Sequence, residues 1–447
     1  MSKNRSKEYR TSYIIWFIVS MLYGFQYLLR VFPAIAINEI KIKFGITNAD
    51  FGQFAGIYYI GYSIGHIPFS ILLTRYSSKN NFFIAIACIL IGTLPNLTSK
   101  YWIINIIGRF IVGFGSAGIL LSAMKIIRLS FNDGYEKMLG FMVTFALLLV
   151  SLFNKPAMII IENYGFDWLI LGFMIISIFM TILIFFIPGS NKIKKIFKIS
   201  ENEDSISPSI NKKSKSEKSG VAKDVISVIF NWKIITISII GGLMLGVLEG
   251  FADAWAMPFL KIVYNMDSNQ VALGSSCIFI GLCIGFPFIG MMAEISKNKI
   301  SNYILIMTCA LGMLILFIML IFKICDYSVN IFDNTVNLAH LVLFLLGILC
   351  GYQISIISEA TNYVSPRLFS LSSAISNMIM MSFGSFFHIS ISKVISNSND
   401  INMSNGGFTE QSLINGCMVI VICLIISITG ISLLWLYDFL TRKKIKI

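Results

Sequence analysis

Residues Ser200–Gly220 read SENEDSISPSINKKSKSEKSG and separate two long apolar regions of similar length. The stretch is rich in Ser, Lys, Asn and Glu and holds almost no residue that could join a hydrophobic core. This composition is typical of a flexible, solvated linker, which we place at residues 189–231. For residues 193–199 of this linker, the alternative is a short amphipathic helix on the membrane surface. The linker divides the chain into an N-terminal domain, residues 1–188, and a C-terminal domain, residues 232–447.

The composition of both regions indicates a protein that lives in lipid. Of the 447 residues, 56% are hydrophobic and only 13% are charged, and the mean hydropathy is +0.80. Soluble domains carry about 25% charged residues, so this chain has too few polar groups to cover a water-exposed surface. The sequence therefore predicts an integral membrane protein with the lipid bilayer as its surroundings.

Twelve segments are long and apolar enough to cross a bilayer, which takes about 20 residues per helix. Six precede the linker and six follow it, so we predict an all-α membrane protein with twelve transmembrane helices in two pseudo-symmetric six-helix bundles. The segments are Tyr13–Ala36, Phe51–Leu73, Phe82–Leu97, Ile103–Ser122, Met138–Ile161, Trp168–Ile187, Ile234–Phe259, Val271–Ala293, Tyr303–Phe322, Leu338–Ile357, Phe369–Ile391 and Ile414–Leu436.

The distribution of basic residues predicts the orientation. With the N-terminus inside, 26 of the 35 Lys and Arg residues fall in cytoplasmic segments and six fall outside. This asymmetry follows the positive-inside rule and predicts a cell-membrane protein with both termini cytoplasmic. It also accounts for the net charge of +13, so no nucleic-acid partner is expected.

Cysteine and histidine usage favours neither a metal site nor an enzyme. Seven of the eight Cys lie inside apolar runs, no CxxC occurs, and the three His are scattered. Such Cys behave as small buried hydrophobic residues. We expect no catalytic residue, no metal and no cofactor.

Three motifs resemble those of the major facilitator superfamily. Its loop signature between spans two and three has a degraded counterpart at Ser70–Lys79, which keeps Arg75. The repeat between spans eight and nine has one at Gly290–Lys299, which keeps Gly and the acid Glu294. The span-four motif R-x-x-x-G-x-G is similar to the stretch that begins at Arg109. The resemblance implies two six-helix halves that transport a solute by alternating access, with Arg75 and Glu294 as gating or structural residues.

Three further stretches resemble particular branches of that superfamily. YLLRVFPAIAI, residues 27–37, is similar to span one of organic-anion and sugar-phosphate permeases. FADAWAMPFL, residues 251–260, and GLCIGFPFIG, residues 281–290, look like bacterial transporters related to lysosomal dipeptide carriers. The phosphate-ester antiporters place an Arg in span seven, where this chain has Glu249 and Asp253, so a phosphate dianion is disfavoured.

Placing an ionisable side chain inside the hydrocarbon region costs several kcal/mol of free energy, so such residues commonly have a functional role. Arg30 in span one and Glu249 and Asp253 in span seven lie at matching depth in the two halves. A substrate site would place a carboxylate on Arg30 and an amine near an acid, while the alternative is an ion pair that locks the halves together. Trp255 either lines this site or anchors the helix at the membrane interface.

Glu249 and Asp253 are four residues apart and share one helix face. Two close carboxylates in a poorly hydrated site do not both ionise easily, which favours a role of this pair in proton coupling. Arg109 is a third candidate for proton coupling, and helix packing is the alternative role for it. Glu359 is a candidate gate or salt-bridge partner. The Gly stripe that includes Gly246 and Gly250 is typical of close helix packing and would also let the halves rock.

Together these patterns predict a secondary active transporter that works by alternating access, and not an enzyme. We expect a monomer that moves a zwitterion or organic anion, such as an amino acid, a short peptide or a small carboxylate, coupled to protons. The alternatives are a drug or metabolite exporter, favoured by an apolar cavity without a matched Arg/acid set, and a non-transporting membrane receptor or scaffold.

Overall fold

A computed structural model describes residues 2–131, 135–187, 227–295, 299–331, 334–364, 368–398 and 408–445. The described part of the N-terminal half consists of α1 Ser2–Ile35, α2 Ile37–Phe44, α3 Asn48–Arg75, α4 Ser78–Thr93, α5 Pro95–Thr98, α6 Trp102–Ser130, α7 Tyr135–Tyr164 and α8 Phe166–Phe185. The predicted linker lies almost entirely outside the described residues.

Helices also dominate the described part of the C-terminal half. They are α9 Trp232–Met244, a 3₁₀ turn Leu245–Val247, a π-helical segment Leu248–Trp255, α10 Ala256–Val263, α11 Ser268–Ile295, α12 Lys299–Ile321, α13 Leu338–Leu349, α14 Tyr352–Thr361, α15 Phe369–Ser398 and α16 Glu410–Ile445. The predicted spans three, seven and ten are therefore each built from more than one element.

Eleven stretches of the described chain are helical, long and apolar enough to cross a membrane. The remaining predicted span corresponds to α3, whose 28 residues reach about 42 Å at 1.5 Å per residue. That length exceeds the hydrocarbon core of about 30 Å, although three Tyr and several polar residues lower the hydropathy of α3. The predicted twelve-helix, all-α membrane fold is confirmed.

Contacts divide the chain into two compact units. The N-terminal unit comprises Met1–Ile46 and Ile57–Ala222, and the C-terminal unit comprises Thr47–Gly56 and Lys223–Ile447. The first turns of α3 thus belong to the C-terminal unit, although they precede the predicted linker by well over a hundred residues.

In the N-terminal unit, glycines bring α3 and α6 into backbone contact. A Cβ atom on Gly61 would lie 2.2 Å from the carbonyl oxygen of Phe110, and one on Gly113 would lie 2.1 Å from that of Tyr58. No larger residue fits at either position without moving a helix. The contact holds the tyrosine-bearing face of α3 close to α6.

The C-terminal unit repeats this arrangement between α11 and α13. A Cβ atom on Gly281 would lie 2.0 Å from the carbonyl oxygen of Phe344, and one on Gly347 would lie 2.0 Å from that of Ile278. Spans two and four of one half and spans eight and ten of the other therefore share one packing motif, as expected of two structural repeats.

Lysines at the helix ends bind the carbonyl groups that a helix C-terminus leaves without partners. Lys125 Nζ donates to the carbonyl of Leu73 at 2.6 Å. Lys79 Nζ, the last residue of the first loop motif, donates to that of Phe185 at 2.9 Å. The degraded loop motif therefore still ties the start of α4 to the end of α8.

Residues Ser328–Ile331 and Asn334–Asn337 form an antiparallel two-stranded hairpin, β1 and β2, between α12 and α13. The sequence pattern does not reveal this hairpin, because each strand has only four residues. Asn337 then caps α13: its Oδ1 accepts from the Ala339 N–H at 2.9 Å, while the Asn337 N–H donates to His340 Nδ1 at 3.1 Å. His340 is thereby accounted for as part of a helix cap.

Candidate functional site

Arg30 lies on α1, buried among aromatic rings. Its guanidinium carbon lies 4.6 Å from the ring centroid of Tyr27 and 5.1 Å from that of Tyr59. Its Nε donates a hydrogen bond to the Tyr59 hydroxyl at 3.1 Å. Cation–π contacts stabilise the charge, and the bond at Nε fixes the orientation of the guanidinium plane. The edge formed by the two terminal nitrogens has the geometry that binds a carboxylate with two parallel hydrogen bonds.

The tyrosines of α3 were missed as site residues. The run YYIGY places Tyr58, Tyr59 and Tyr62 close together in sequence, and all three are buried. The Tyr58 hydroxyl donates to Gln26 Oε1 on α1 at 2.9 Å, and the Tyr58 and Tyr62 rings stack at a centroid separation of 6.2 Å. The spacing of one and four residues on a helix was the available signal, since positions four apart share a face.

Arg109 lies on α6 and points at the backbone of α1. Its two terminal nitrogens donate to the carbonyl oxygens of Leu29, at 2.5 Å, and Arg30, at 2.7 Å. The guanidinium also contacts two rings, with its carbon 4.6 Å from the Tyr58 centroid and 5.2 Å from the Phe32 centroid. Arg109 therefore contacts the main chain of the residue whose side chain forms the basic site.

The acids of the C-terminal unit lie in an irregular part of span seven. Glu249 and Asp253 are 1% and 2% exposed and belong to the π-helical segment Leu248–Trp255. π-Helical turns are rare and occur frequently at functional sites. A π-turn holds more residues than an α-turn, and residues four apart remain on nearly the same side of it. The two carboxyl groups thus remain on one side of the segment.

Trp255 ends the π-helical segment and is fully buried. Its ring makes edge-on contacts with Phe51, at a centroid separation of 5.6 Å, and with Phe408, at 6.1 Å. Phe51 belongs to the part of α3 that is counted in the C-terminal unit. Trp255 is therefore enclosed by aromatic rings of its own unit.

The predicted site residues fall into the two units. Arg30 and Arg109 belong to the N-terminal unit, where the structure brings them together through the α1 backbone. Glu249, Asp253 and Trp255 belong to the C-terminal unit, within one short segment. Their roles stay predictions.

The glycine stripe of span seven packs against α15. A Cβ atom on Gly246 would lie 2.7 Å from the Phe387 ring, and one on Gly250 would lie 2.9 Å from Phe387 Cβ. This is close packing between two helices of the same unit. The rocking role of Gly246 and Gly250 stays a prediction.

Glu359 is fully buried near the end of α14. Its Oε2 accepts hydrogen bonds from the side-chain amides of Asn302, at 3.2 Å, and Asn362, at 2.9 Å. These bonds tie the end of α14 to the start of α12. Arg75 and Glu294 lie in the last turns of α3 and α11, and their side chains lie outside the described part of the structure.

A second polar cluster, next to Glu359, was not predicted from the sequence. Lys233 at the start of α9 forms an ion pair with Asp438 of α16 at 2.7 Å. The hydroxyl of Tyr303 donates to the other Asp438 oxygen at 3.0 Å and also contacts the hydroxyl of Tyr363. Burial, together with the nearby Glu359 carboxylate, holds the pKa of the Tyr363 phenol well above its ordinary value. The phenol therefore stays protonated, and the cluster ties α9, α12 and α16 to the end of α14.

Two sets of predicted spans, with buried charges in mid-span, define a multi-pass membrane protein. The sequence model of the Major Facilitator Superfamily matches residues 15–388, and the chain belongs to this superfamily. Its members are transporters, not enzymes. An uncharacterized transporter of Buchnera aphidicola subsp. Schizaphis graminum is 29% identical over 202 residues, which cover 43% of this chain and 50% of that relative.

Solved structures show the same fold. A bacterial homologue of the human lysosomal transporter Spinster, in an inward-facing and unoccupied conformation, matches with a TM-score of 0.67 at 12% identity over 94% of this chain and 97% of that one. The nucleoside transporter NupG matches with a TM-score of 0.66 at 13% identity over 95% and 99%. A D-xylose–proton symporter matches with 0.64 at 14% identity over 93% and 97%. The chain shares the fold of these transporters.

Proposed function

We propose that this transporter moves a small organic anion or zwitterion, such as an amino acid, a short peptide or a small carboxylate, coupled to protons. The observation that carries the substrate class is the geometry of Arg30. Contacts with the Tyr27 and Tyr59 rings and the hydrogen bond to Tyr59 fix the orientation of a guanidinium group whose planar fork suits a carboxylate. Such preorganisation lowers the cost of binding.

Arg109, another buried cation of the N-terminal unit, supports a single negative charge on the substrate. Both terminal nitrogens of Arg109 donate to backbone carbonyl groups of α1. We therefore propose that its charge stabilises the protein and does not bind the substrate. We assign Arg30 to the ligand. One guanidinium matches one carboxylate, whereas a phosphate dianion calls for a second cation.

Glu249 and Asp253 are the proposed proton-coupling residues. Both are buried in the π-helical segment, where a second negative charge close to the first is unfavourable. We propose that this pair carries the coupling proton during the transport cycle. The same two acids are the candidates for pairing with a substrate amine, with Trp255 as a neighbouring apolar surface.

The proposed placement is the cell membrane, as a monomer, with both termini and the linker cytoplasmic. A single Cys introduced at Ser205, in the linker, should react with a membrane-impermeant thiol reagent only from the cytoplasmic side. A Cys introduced at Ser404 should react only from the outside. The unsubstituted chain, whose eight Cys are mostly buried, is the control for background labelling. Labelling of both positions from one side would contradict this topology.

A ligand panel tests the substrate class. Ligands that bind the folded state raise its thermal stability, so melting of the purified protein should shift with amino acids, dialanine or lactate. Glycerol 3-phosphate, xylose and uridine should give smaller shifts or none. The shift should disappear in Arg30→Ala. A shift with xylose or uridine alone, retained in Arg30→Ala, would contradict a carboxylate site.

A further inference from the structure

Pro33 interrupts the hydrogen bonding of α1 next to the basic site. It lies inside the helix, two residues before the end at Ile35. Proline has no N–H group, so the carbonyl oxygen four residues earlier, that of Leu29, loses its normal helical partner. A buried carbonyl without a hydrogen bond is costly, and Leu29 is 1% exposed.

Arg109 supplies the bond that Pro33 removes. One terminal nitrogen donates to the Leu29 carbonyl at 2.5 Å, and the other donates to the next carbonyl, that of Arg30, at 2.7 Å. The planar guanidinium presents two donors in a fixed fork, which suits two consecutive carbonyl oxygens. Its position near the carbonyl end of α1 is also favourable for a cation.

The arrangement fixes Arg30 from two sides. Arg109 holds the main chain of Arg30 through its carbonyl, and Tyr59 holds the Arg30 side chain through Nε. Tyr58, the neighbour of Tyr59 on α3, contacts the Arg109 guanidinium. One helix, α3, therefore supports both arginines with adjacent tyrosines.

We infer that Arg109 is a positioning residue that sets the location of Arg30 by satisfying the carbonyl group that Pro33 leaves without its helical N–H. The inference rests on the proposed function, in which Arg30 binds the substrate carboxylate. In this inference Arg109 supports substrate binding and does not carry the coupling proton. Pro33 contributes by leaving the Leu29 carbonyl available to the Arg109 guanidinium.

A double-mutant cycle between Arg109 and Pro33 tests this inference. Arg109→Met should raise KM for the panel compound with the largest thermal shift by about tenfold, as expected when a hydrogen bond from a charged group to a buried carbonyl is lost. Its pH profile of transport should match that of the unsubstituted protein. In a Pro33→Ala background, the restored N–H supplies the Leu29 carbonyl, so Arg109→Met should raise KM by only about threefold.

Pro68→Ala is the matched control. Pro68 lies inside α3, ten residues and about 15 Å along the helix from Tyr58, and its replacement should not reduce the effect of Arg109→Met. Thermal melting without ligand provides a readout that does not depend on transport. There too, Arg109→Met should cost less stability in the Pro33→Ala background than in the unsubstituted chain.

Equal effects of Arg109→Met in both backgrounds, on KM and on melting, would overturn the inference. So would a normal KM with a shifted pH profile, which would indicate a proton role. If Arg109→Met does not fold, the same comparisons apply to Arg109→Lys, whose single ammonium group reproduces the fork poorly. Failure of the proposed function looks different: KM would not respond to Arg30→Lys, while the melting cycle would still report the Arg109–Pro33 coupling.

Discussion

Arg30→Lys should lower transport at limiting substrate at least about tenfold while leaving expression and membrane insertion intact. Lysine keeps the positive charge, but one ammonium group cannot form two parallel hydrogen bonds to a carboxylate. It also lacks the Nε group that donates to the Tyr59 hydroxyl and the flat face that stacks on Tyr27. The measurement is the initial rate of uptake into proteoliposomes, normalised to the amount of inserted protein.

Arg128→Lys is the matched control for Arg30→Lys. Arg128 lies in the last turn of α6, away from the aromatic cluster around Arg30, and its replacement should leave transport near the level of the unsubstituted protein. Normal transport in Arg30→Lys, together with poor expression of Arg30→Ala, would contradict substrate binding. It would favour a purely structural ion pair of Arg30.

Neutralising the coupling acid should abolish accumulation driven by a proton gradient. We expect this of Glu249→Gln, of Asp253→Asn or of both, because the buried pair is proposed to take up and release the coupling proton. Exchange of labelled for unlabelled substrate needs no net proton movement, so it should persist in the same variant. Both assays belong on one reconstituted preparation, since differences in expression would otherwise confuse them.

Glu162→Gln is the control for these variants, because Glu162 is exposed at the end of α7 and should not affect coupling. If Glu249→Gln and Asp253→Asn both still accumulate substrate against a gradient, neither acid carries the coupling proton. The next residue to change would then be Glu359, which is fully buried.

Much of the fold could be predicted because apolar length is a strong signal. A spanning helix must satisfy its own backbone hydrogen bonds in lipid, so each apolar run of about 20 residues becomes one span. The segment that became α3 was found by its length and position between its neighbours, although its Tyr and Gly content weakens the signal. Some of these glycines, including Gly61, are present because α3 lies in close backbone contact with α6.

The candidate site was predicted only in part. The sequence indicates which residue types lie in a span and how deep they lie in the membrane, but it does not indicate which residues they contact. The depth of Arg30 followed from its place in span one, whereas its contacts with Tyr59 join residues 29 positions apart. The bond from Arg109 to the Leu29 carbonyl joins residues 80 positions apart and involves a backbone atom, which no residue pattern marks. The π-helical turn around Glu249 depends on tertiary packing, and no sequence pattern in this stretch predicts it.

Uptake of a mixed metabolite pool into proteoliposomes, with and without an imposed proton gradient, tests the central claim most directly. The account predicts that amino acids, short peptides or small carboxylates accumulate inside the vesicles only when the gradient is present, and that Arg30→Lys removes this accumulation. Accumulation of an uncharged solute alone, or uptake of a carboxylate that is the same with and without the gradient, would contradict it.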